Sequence, residues 1–320
     1  MVPLFQITHR ILALVGEIMQ LVGRFEGMQA PQPQLKLRKA VRVRTVHGSL
    51  AIEGNTLTLE QATAVFEGKR VAGPTQEIQA MKNALAAYDA ASLWSPLNEG
   101  HFLKAHSLMM KSILPDAGRY RCKGVGIFQG DKVAHVAPPA KRVPQLVASL
   151  LAWLKAERSL DRIVASAVVH YELEFIHPFS DGNGRMGRLW QHVILLKRHP
   201  AFQWIPTESA VLARQQEYDS VLAACDRAGN STAFIEFSLS TIKTGLEEFM
   251  QELRPAPLST QQRLDLARQV LGGQWFSRKE YLAHWKTLSS ATASRDLRHG
   301  VESSCLRKEG DKALARYKYQ

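Results

Sequence analysis

The stretch His177-Pro178-Phe179-Ser180-Asp181-Gly182-Asn183-Gly184-Arg185-Met186-Gly187-Arg188 decides how this chain is read. Pro178 ends the helical pattern that carries His170 and Phe175, because a proline disfavours helical geometry in the residue before it. His177 therefore stands at a helix-to-loop junction with its ring able to project. Imidazole titrates near neutrality and can take a proton from an incoming hydroxyl, although a lone histidine is more often a structural hydrogen-bonding residue. The residues that follow shift the balance. Gly182-Asn183-Gly184 permits the positive φ values of a tight turn, which bring backbone N–H groups close to an anion. A helix starting near Gly184 or Arg185 then aims its positive end at the same spot. Arg185 and Arg188, three apart on one face of that helix, bring two guanidinium groups within reach of successive phosphates. Polyphosphate is the ligand this pattern describes. Asp181, the carboxylate of the loop, either holds a divalent cation or caps the helix; Mg²⁺ accepts one or two carboxylates and takes its other ligands from phosphates and water. Phe179 reads as an apolar anchor.

Outward from this stretch, helical periodicity recurs in Ala140 to Ala156, Arg162 to Phe175 and Met186 to Lys197, punctuated by Pro144, Pro178 and Pro200. The expected fold class is mainly α. One strand pair is expected within Lys123 to Val136, where apolar residues flank the turn-like Gln129-Gly130-Asp131. Ile11 to Val22 has the spacing of an amphipathic helix; Glu17 and Gln20 interrupt it and no small-residue cleavage site follows, so it does not read as a signal peptide. Pro31 to Gln34 is a short break, and the prolines of Arg254-Pro255-Ala256-Pro257 stop the preceding helix and mark a linker.

With 320 residues, 45% of them hydrophobic and 22% charged, the chain is globular and neither disordered nor collagen-like. Its formal net charge of +12 favours acidic partners such as nucleic acid or polyphosphates. From Ala256 to Gln320 there are 12 Lys and Arg against 6 Asp and Glu, so half of the excess lies in the last fifth of the chain. Cys122, Cys225 and Cys305 form no CxxC pair, which argues against a zinc ribbon and a disulfide framework and fits a reducing cytoplasm. No apolar run reaches the roughly 18 residues that a membrane span requires.

The twelve residues from His177 to Arg188 match the Fic family's HPFx[DE]GNGRxxR at every specified position. The resemblance implies a Fic-type helical core with a β-hairpin flap. In it His177 is the general base, Asp181 holds Mg²⁺, Gly182, Asn183 and Gly184 form the anion hole, and Arg185 and Arg188 grip the phosphates. The reaction implied is in-line attack of a protein Ser, Thr or Tyr hydroxyl on the α-phosphate of ATP, releasing pyrophosphate. Gly184 stands where the phosphorylating branch of the family has a lysine, so the chain looks like an AMP-transferring member. Gly118 to Pro144 resembles the flap, which holds a target segment by strand pairing; an ordinary surface hairpin is the alternative. Arg214 to Val221 resembles the segment closing the nucleotide-base pocket, with Tyr218 as the aromatic and Asp219 where the family often has a second Tyr.

Ser49 to Gly54, SLAIEG, fits the inhibitory pattern [ST]xxxE[GN] of autoinhibited Fic proteins, and SLAIEGNTLTLEQA resembles the segment preceding their cores. Ser49 and Glu53 lie four apart on one helical face, and Gly54 gives the helix an exit. Glu53 is then available to pair with Arg188, with Ser49 adding at most a helix-supporting hydrogen bond. The basic run Lys36, Arg38, Lys39, Arg42 and Arg44 reads as a solvated helix face in preference to a nucleic-acid patch.

The tail from Phe276 resembles a winged helix-turn-helix, with Ala291 to Val301 as recognition helix, Leu306 to Tyr319 as wing and a hairpin around Glu309-Gly310-Asp311. Arg295, Arg298, Lys308, Lys312 and Arg316 can meet DNA phosphates there, although such modules also serve dimerisation. Gly300 interrupts the recognition helix where a larger residue is expected to pack better.

The organisation expected is an N-terminal helical region over 1–95 carrying the inhibitory helix, a Fic core over 96–254 and the winged helix over 258–320. The function expected is an autoinhibited, cytoplasmic protein adenylyltransferase with ATP as substrate and Mg²⁺ as cofactor. Its partners are a target protein with an acceptor hydroxyl, the chain itself included, and DNA through the tail; a homodimer is compatible and a membrane is not. Two rivals remain: a hydrolase that removes AMP, with Glu53 orienting water, and a DNA-binding regulator whose core senses nucleotide.

Overall fold

Ile11, Leu14, Ile18 and Val22 recur every three or four residues and become the buried face of helix α1 (His9–Gly27), as their spacing predicts. After it come α2 (Leu35–Ile52), α3 (Leu59–Phe66), α4 (Thr75–Ala90) and α5 (Glu99–Met109). Strands β1 (Gly126–Gln129) and β2 (Lys132–Val136) pair antiparallel, with an irregularity between Ile127 and Phe128. Helices α6 (Val143–Ala156), α7 (Arg162–Ile176), α8 (Asn183–Arg198), α9 (Thr207–Leu212), α10 (Gln215–Ala228) and α11 (Thr232–Glu252) follow. The computed structural model describes residues 2–27, 35–124, 126–129, 132–253, 258–285, 288–311 and 314–320. The Pro31 to Gln34 break, Gly130 and Asp131 of the hairpin turn, the Arg254 to Pro257 linker and Lys312 lie outside them, as does the side chain of Lys36.

The chain divides between Leu253 and Arg254 into two units. In the first, the mainly α expectation holds, and α7 sits at the centre: small and β-branched residues from Ile163 to Val169 are all buried. Two large cores share its faces, and a smaller one takes Tyr171. One joins α2 to α8, with Val46, Met81, Phe102, Leu150, Val169 and Trp190 among its members. The other sets Ile11 and Ile18 of α1 against Ile235, Leu239 and Ile242 of α11 and Val168 of α7. Residues before position 95 thus share both cores with later helices. Caps are where the sequence puts short polar side chains: Asp161 accepts from the Ile163 N–H to start α7, and Thr58 and Gln61 form a reciprocal box at α3. No helix among the described residues is long and apolar enough to cross a membrane.

Of the basic run on α2, Arg38, Lys39, Arg42 and Arg44 do not form a solvated face. Lys39 pairs with Glu67, Arg42 with Asp89, and Arg44 forks onto Glu252 with Nη2 2.7 Å from Oε2. Arg38 lies over the Trp204 ring at 5.2 Å. Acids far away in sequence pair with Lys39, Arg42 and Arg44, which look unpaired when read locally. At Gly48, α2 approaches α9 so closely that an added Cβ would stand 3.0 Å from the Glu208 carbonyl carbon.

The second unit holds α12 (Thr260–Leu271), β3 (Phe276–Ser277), α13 (Arg278–Ala283), α14 (Ser290–Glu302), β4 (Leu306–Glu309) and β5 (Arg316–Tyr319). Its antiparallel sheet runs β3-β5-β4. Leu264, Tyr281, Leu297 and Leu306 form a small core. Asp296, wholly buried on α14, receives Arg263 at 2.6 Å and the Tyr281 hydroxyl at 3.2 Å, which ties three helices together. Gly300 corrects the expectation that a larger residue would pack better: an added Cβ would meet Leu306 Cδ1 at 2.6 Å. Gly300→Ala should therefore destabilise this unit by about 1–3 kcal/mol, the usual cost of overpacking. Thermal unfolding checks it, and an unchanged or raised midpoint contradicts it.

Candidate functional site

Helix α7 ends at Ile176, and His177 follows in the left-handed region at φ 49°, ψ 63°. A non-glycine residue pays about 1–2 kcal/mol for that conformation, so its surroundings must hold it. The His177 N–H closes back onto Leu173 O at 3.0 Å, and Arg121 Nε donates to His177 O at 2.7 Å. Arg121 is 4% exposed and also donates to the carbonyls of Lys123, Pro138 and Ile176. One guanidinium thereby fixes the backbone on which the His177 ring is mounted. The ring itself has Nδ1 3.4 Å from Glu174 O.

The loop after His177 is tied down just as fully. Asn183 accepts from the Phe179 N–H at 2.8 Å and donates to Phe179 O at 3.0 Å, a two-point clamp across the turn. Phe179 is buried and stacks on His106 with ring centroids 3.6 Å apart. His106 Nδ1 accepts from the Gly118 N–H, so Nε2 carries the proton and donates to Asp181 O at 3.0 Å. Burial pushes the His106 pKa down to about 4, which keeps this tautomer neutral. Gly182, at φ 82°, takes the N-cap position that a larger residue would occupy with strain, and α8 starts at Asn183, slightly earlier than the sequence suggests.

Asp181 is not the cap residue, although its Oδ1 accepts from the Gly182 N–H at 2.6 Å. Both its oxygens also lie 3.1 Å from Arg185 Nη2. Its side chain remains 54% exposed. An accessible carboxylate beside this turn fits Mg²⁺ as the protein's share of a shell that phosphate and water would complete. Among the described residues no group of three or more His, Cys, Asp or Glu is placed to hold a metal unaided.

Arg188 is 3% exposed and faces the end of α2. Its Nε donates to Ser49 Oγ at 3.1 Å, and its Nη2 donates to Ser49 O at 2.9 Å and Glu53 Oε1 at 2.7 Å. Ser49 therefore does more than support its helix: it supplies two of the three acceptors. Glu53 lies one residue past α2 in a turn that Gly54 completes at φ 85°. The Gln215 side chain of α10 holds that turn at Ile52 O, 3.1 Å away. The Glu53 carboxylate covers Gly184, where an added Cβ would overlap Oε1 and stand 3.2 Å from Arg188 Nη1. Burial works against the charge of Arg188, and Glu53, with Tyr218 and Glu174, more than offsets it and holds its pKa above the ordinary arginine value. Glu174 in turn sits below the usual carboxylate range: burial opposes ionisation, but His170, Arg188 and His177 outweigh it.

The structure thus gathers His177, Asp181, Gly182, Asn183, Gly184, Arg185, Arg188, Ser49, Glu53 and Gly54 around one turn. Tyr218 is interior, 4% exposed, with its hydroxyl 3.2 Å from His170 Nε2 and 3.4 Å from Glu174 Oε1. Arg121, His106 and Glu174 escaped the sequence reading. Arg121 lies inside the flap-like segment, but nothing local distinguishes it from Arg119; His106 carries no motif at all.

A helical core whose central turn joins a histidine cap to an arginine-bearing helix is the architecture of the Fic fold. The family model described as Fic/DOC family matches residues 96–195. A solved Fic family protein from Desulfovibrio desulfuricans G20 is 38% identical, with 99% of this chain and 98% of that one covered and a TM-score of 0.74. The chain belongs to the Fic/DOC family. Fic-1 of Caenorhabditis elegans shares the fold at TM-score 0.60 and 22% identity, over 76% of this chain and 73% of that one. Among curated relatives, the protein adenylyltransferase Fic of Nematostella vectensis is 30% identical over 184 residues, 52% of this chain and 41% of its own length. Protein adenylyltransferase fic-1 of Caenorhabditis briggsae is 28% identical over 254 residues, 75% and 48%. The chain spans less than half the length of these curated relatives.

The neutral His106 under the loop predicts a pH dependence. Its folded pKa of about 4 lies below the ordinary 6.5. Between those values the unfolded chain binds the extra proton. The stability that His106 contributes is therefore full above about pH 6.5 and is lost as pH falls toward about 4. In urea unfolding, the gap between the wild type and His106→Gln should narrow over that window. A gap that stays constant contradicts the assignment.

Proposed function

We propose that the protein transfers AMP from ATP to a Ser, Thr or Tyr hydroxyl of a target protein, the chain itself included, and that Glu53 restrains the reaction. The observation that carries the reading is that Arg185 Nε and Arg188 Nη1, buried in the first turns of α8, have no hydrogen-bond partner among the described residues, a state they share with Arg42 Nη1 and Arg44 Nε of α2, away from the Gly184 turn. Buried donors are almost always satisfied, and the Arg188 donor stands beside the Gly184 turn. A polyphosphate offers the acceptors they lack. The curated relatives named protein adenylyltransferase support the same reading.

In this mechanism His177 takes the proton of the acceptor hydroxyl as its oxygen bonds to the α-phosphorus. The bond from that phosphorus to the bridging oxygen breaks, and pyrophosphate leaves. Backbone N–H groups of Asn183, Gly184 and the start of α8 face the negative charge, the Gly182 N–H being taken by Asp181 Oδ1. Arg185 and Arg188 grip the phosphates; Tyr218, buried with its hydroxyl on His170 and Glu174, would reach the nucleotide base only by moving. Asp181 would hold Mg²⁺ together with phosphate oxygens, and the ion supplies charge neutralisation for the leaving group. A reducing, cytoplasmic setting suits the three free cysteines. In the second unit the arrangement of α13, α14 and the β4–β5 hairpin supports a winged helix, and the exposed Arg295 and Arg298 on α14 support duplex DNA as its partner or a second copy as its docking surface.

Two substitutions test the core of this reading. His177→Ala should lower transfer by about 10² to 10⁴ while ATP binding persists, since the change removes the base and no phosphate contact. Undiminished transfer would sink the role. Glu53→Gly should raise transfer by roughly tenfold for each 1.4 kcal/mol by which the Glu53–Arg188 pair excludes ATP. Adding His177→Ala to it should abolish the gain. Should Glu53→Gly leave transfer unchanged and instead abolish release of AMP from a modified protein, the hydrolase reading replaces this one.

A further inference from the structure

A cleft that the transfer chemistry does not use lies toward the other end of α8 from the Gly184 turn. Ile194 of α8 and Leu154 of α6, each 1% exposed, are its apolar floor. Ile194 stands roughly 15 Å along the helix from Gly184 at the usual rise per residue. The connection between α4 and α5 forms one wall, where Trp94, Pro96 and Leu97 line the same space. That wall is held in place by its own contacts: Trp94 is buried and stacks on Trp190 with ring centroids 6.4 Å apart, and Trp190 Nε1 donates to Pro96 O at 3.3 Å. Leu93 also lines the cleft and is 78% exposed. The enclosed volume is about 390 Å³, within the range of sites that take small molecules.

The polar groups around this apolar floor are donors. Lys197 donates to Ser92 O at 2.9 Å and Arg162 Nη1 to Leu154 O at 2.7 Å, and neither makes an ion pair among the described residues. His101 Nδ1 accepts from the Ser95 N–H at 2.9 Å, which leaves the proton of the neutral ring on Nε2. Acids adjacent to Arg162 are engaged elsewhere. Asp161 pairs with Arg198, and Glu157 places Oε1 on the Ser159 hydroxyl and the N–H groups of Ser159 and Leu160. The cleft lined by Lys39, Val43, Leu59 and Glu67 is the contrast. At about 420 Å³ it is of similar size, but its cations are answered, Lys39 by Glu67 and Arg44 by Glu252.

We infer that this cleft binds a small apolar carboxylate, with its hydrocarbon body over Leu154 and Ile194 and its head among Lys197, Arg162 and His101. Charge selects the head, because two cations and a ring N–H meet there with no carboxylate paired to either cation. Each cation commits one N–H to a backbone carbonyl and keeps the rest for an anion. Size selects a free small molecule over a protein segment, since a stable protein contact typically buries about 800 Å² on each partner. The site is separate from the turn that holds His177 and Arg188, and the inference does not depend on which reaction that turn supports.

The test is calorimetric titration of the full chain with octanoate, octanol and octylammonium, which share one hydrocarbon body and differ in the charge of the head. Octanoate should bind about tenfold more tightly than octanol, the gain expected of a hydrogen bond to a charged donor, and octylammonium more weakly than either. Lys197→Glu should weaken octanoate by about tenfold and leave octanol unchanged. Leu97→Glu, which puts a charge on the apolar wall, should weaken both. Octanoate should bind as well in saturating ATP, and it should raise the thermal unfolding midpoint of the wild type. The same unfolding measurement shows that each variant is folded, and Lys197→Met takes the place of Lys197→Glu if the latter is not. Equal affinity for the acid and the alcohol overturns the proposal. So does octanoate binding that neither variant weakens, or that ATP displaces. Octanoate that gives neither heat nor a raised midpoint up to its solubility overturns it as well.

Discussion

A guanidinium sealed inside a protein cannot shed its charge, so the structure around it must answer that charge or fail to fold. Arg188 is that group here. Helix α2 answers with Ser49 and Glu53, and α7 answers with Glu174, itself steadied by His170 and Tyr218. The same arginine projects from α8, whose first turn is the candidate anion site. Holding Arg188 in place therefore aligns the end of α2, the end of α7 and the start of α8 at a single point. The loop between α7 and α8 gains its shape from separate fasteners, Arg121 on the His177 carbonyl and His106 on the Asp181 carbonyl. Among the described residues neither fastener hydrogen-bonds to Arg188, so the loop and the arginine are secured by separate contacts.

Much of this was legible in the sequence because the chemistry is local. His177, Asp181, the two glycines and both arginines fall within twelve residues, and turn, helix start and spacing can be read from such a run without knowing the rest of the fold. Helix periods were equally plain, and the amphipathic α1 and the β1–β2 hairpin lie where those periods and turn residues put them. The pairing of Glu53 with Arg188 spans 135 residues and was visible only because the family resemblance names each end in its own short pattern. Where no pattern exists, pairing at long range left no trace. Arg121 meets His177 across 56 residues, His106 meets Asp181 across 75, and Tyr88 meets Glu208 across 120. Each is an ordinary residue in an ordinary helix or loop until the fold brings its partner near. The basic run on α2 shows the converse, since charges that look solvated find acids just after α3 and on α4 and α11. Gly300 teaches the same lesson about volume, because only the fold brings Leu306 against it.

The tight seating of α2 on α9 at Gly48 has a kinetic consequence. A helix that cannot lift without dragging its neighbour leaves motion to what lies beyond its end, the short turn holding Glu53 and Gly54. Side-chain rotation and turn rearrangement run in nanoseconds to microseconds, whereas docked helices shift in microseconds to milliseconds. Enzymes turn over about ten times per second in the median case, so such a turn would open and close many thousands of times within one catalytic cycle. Under the proposed restraint by Glu53, nucleotide would then meet a time-averaged entrance, with no lag and no memory of which way the carboxylate last pointed.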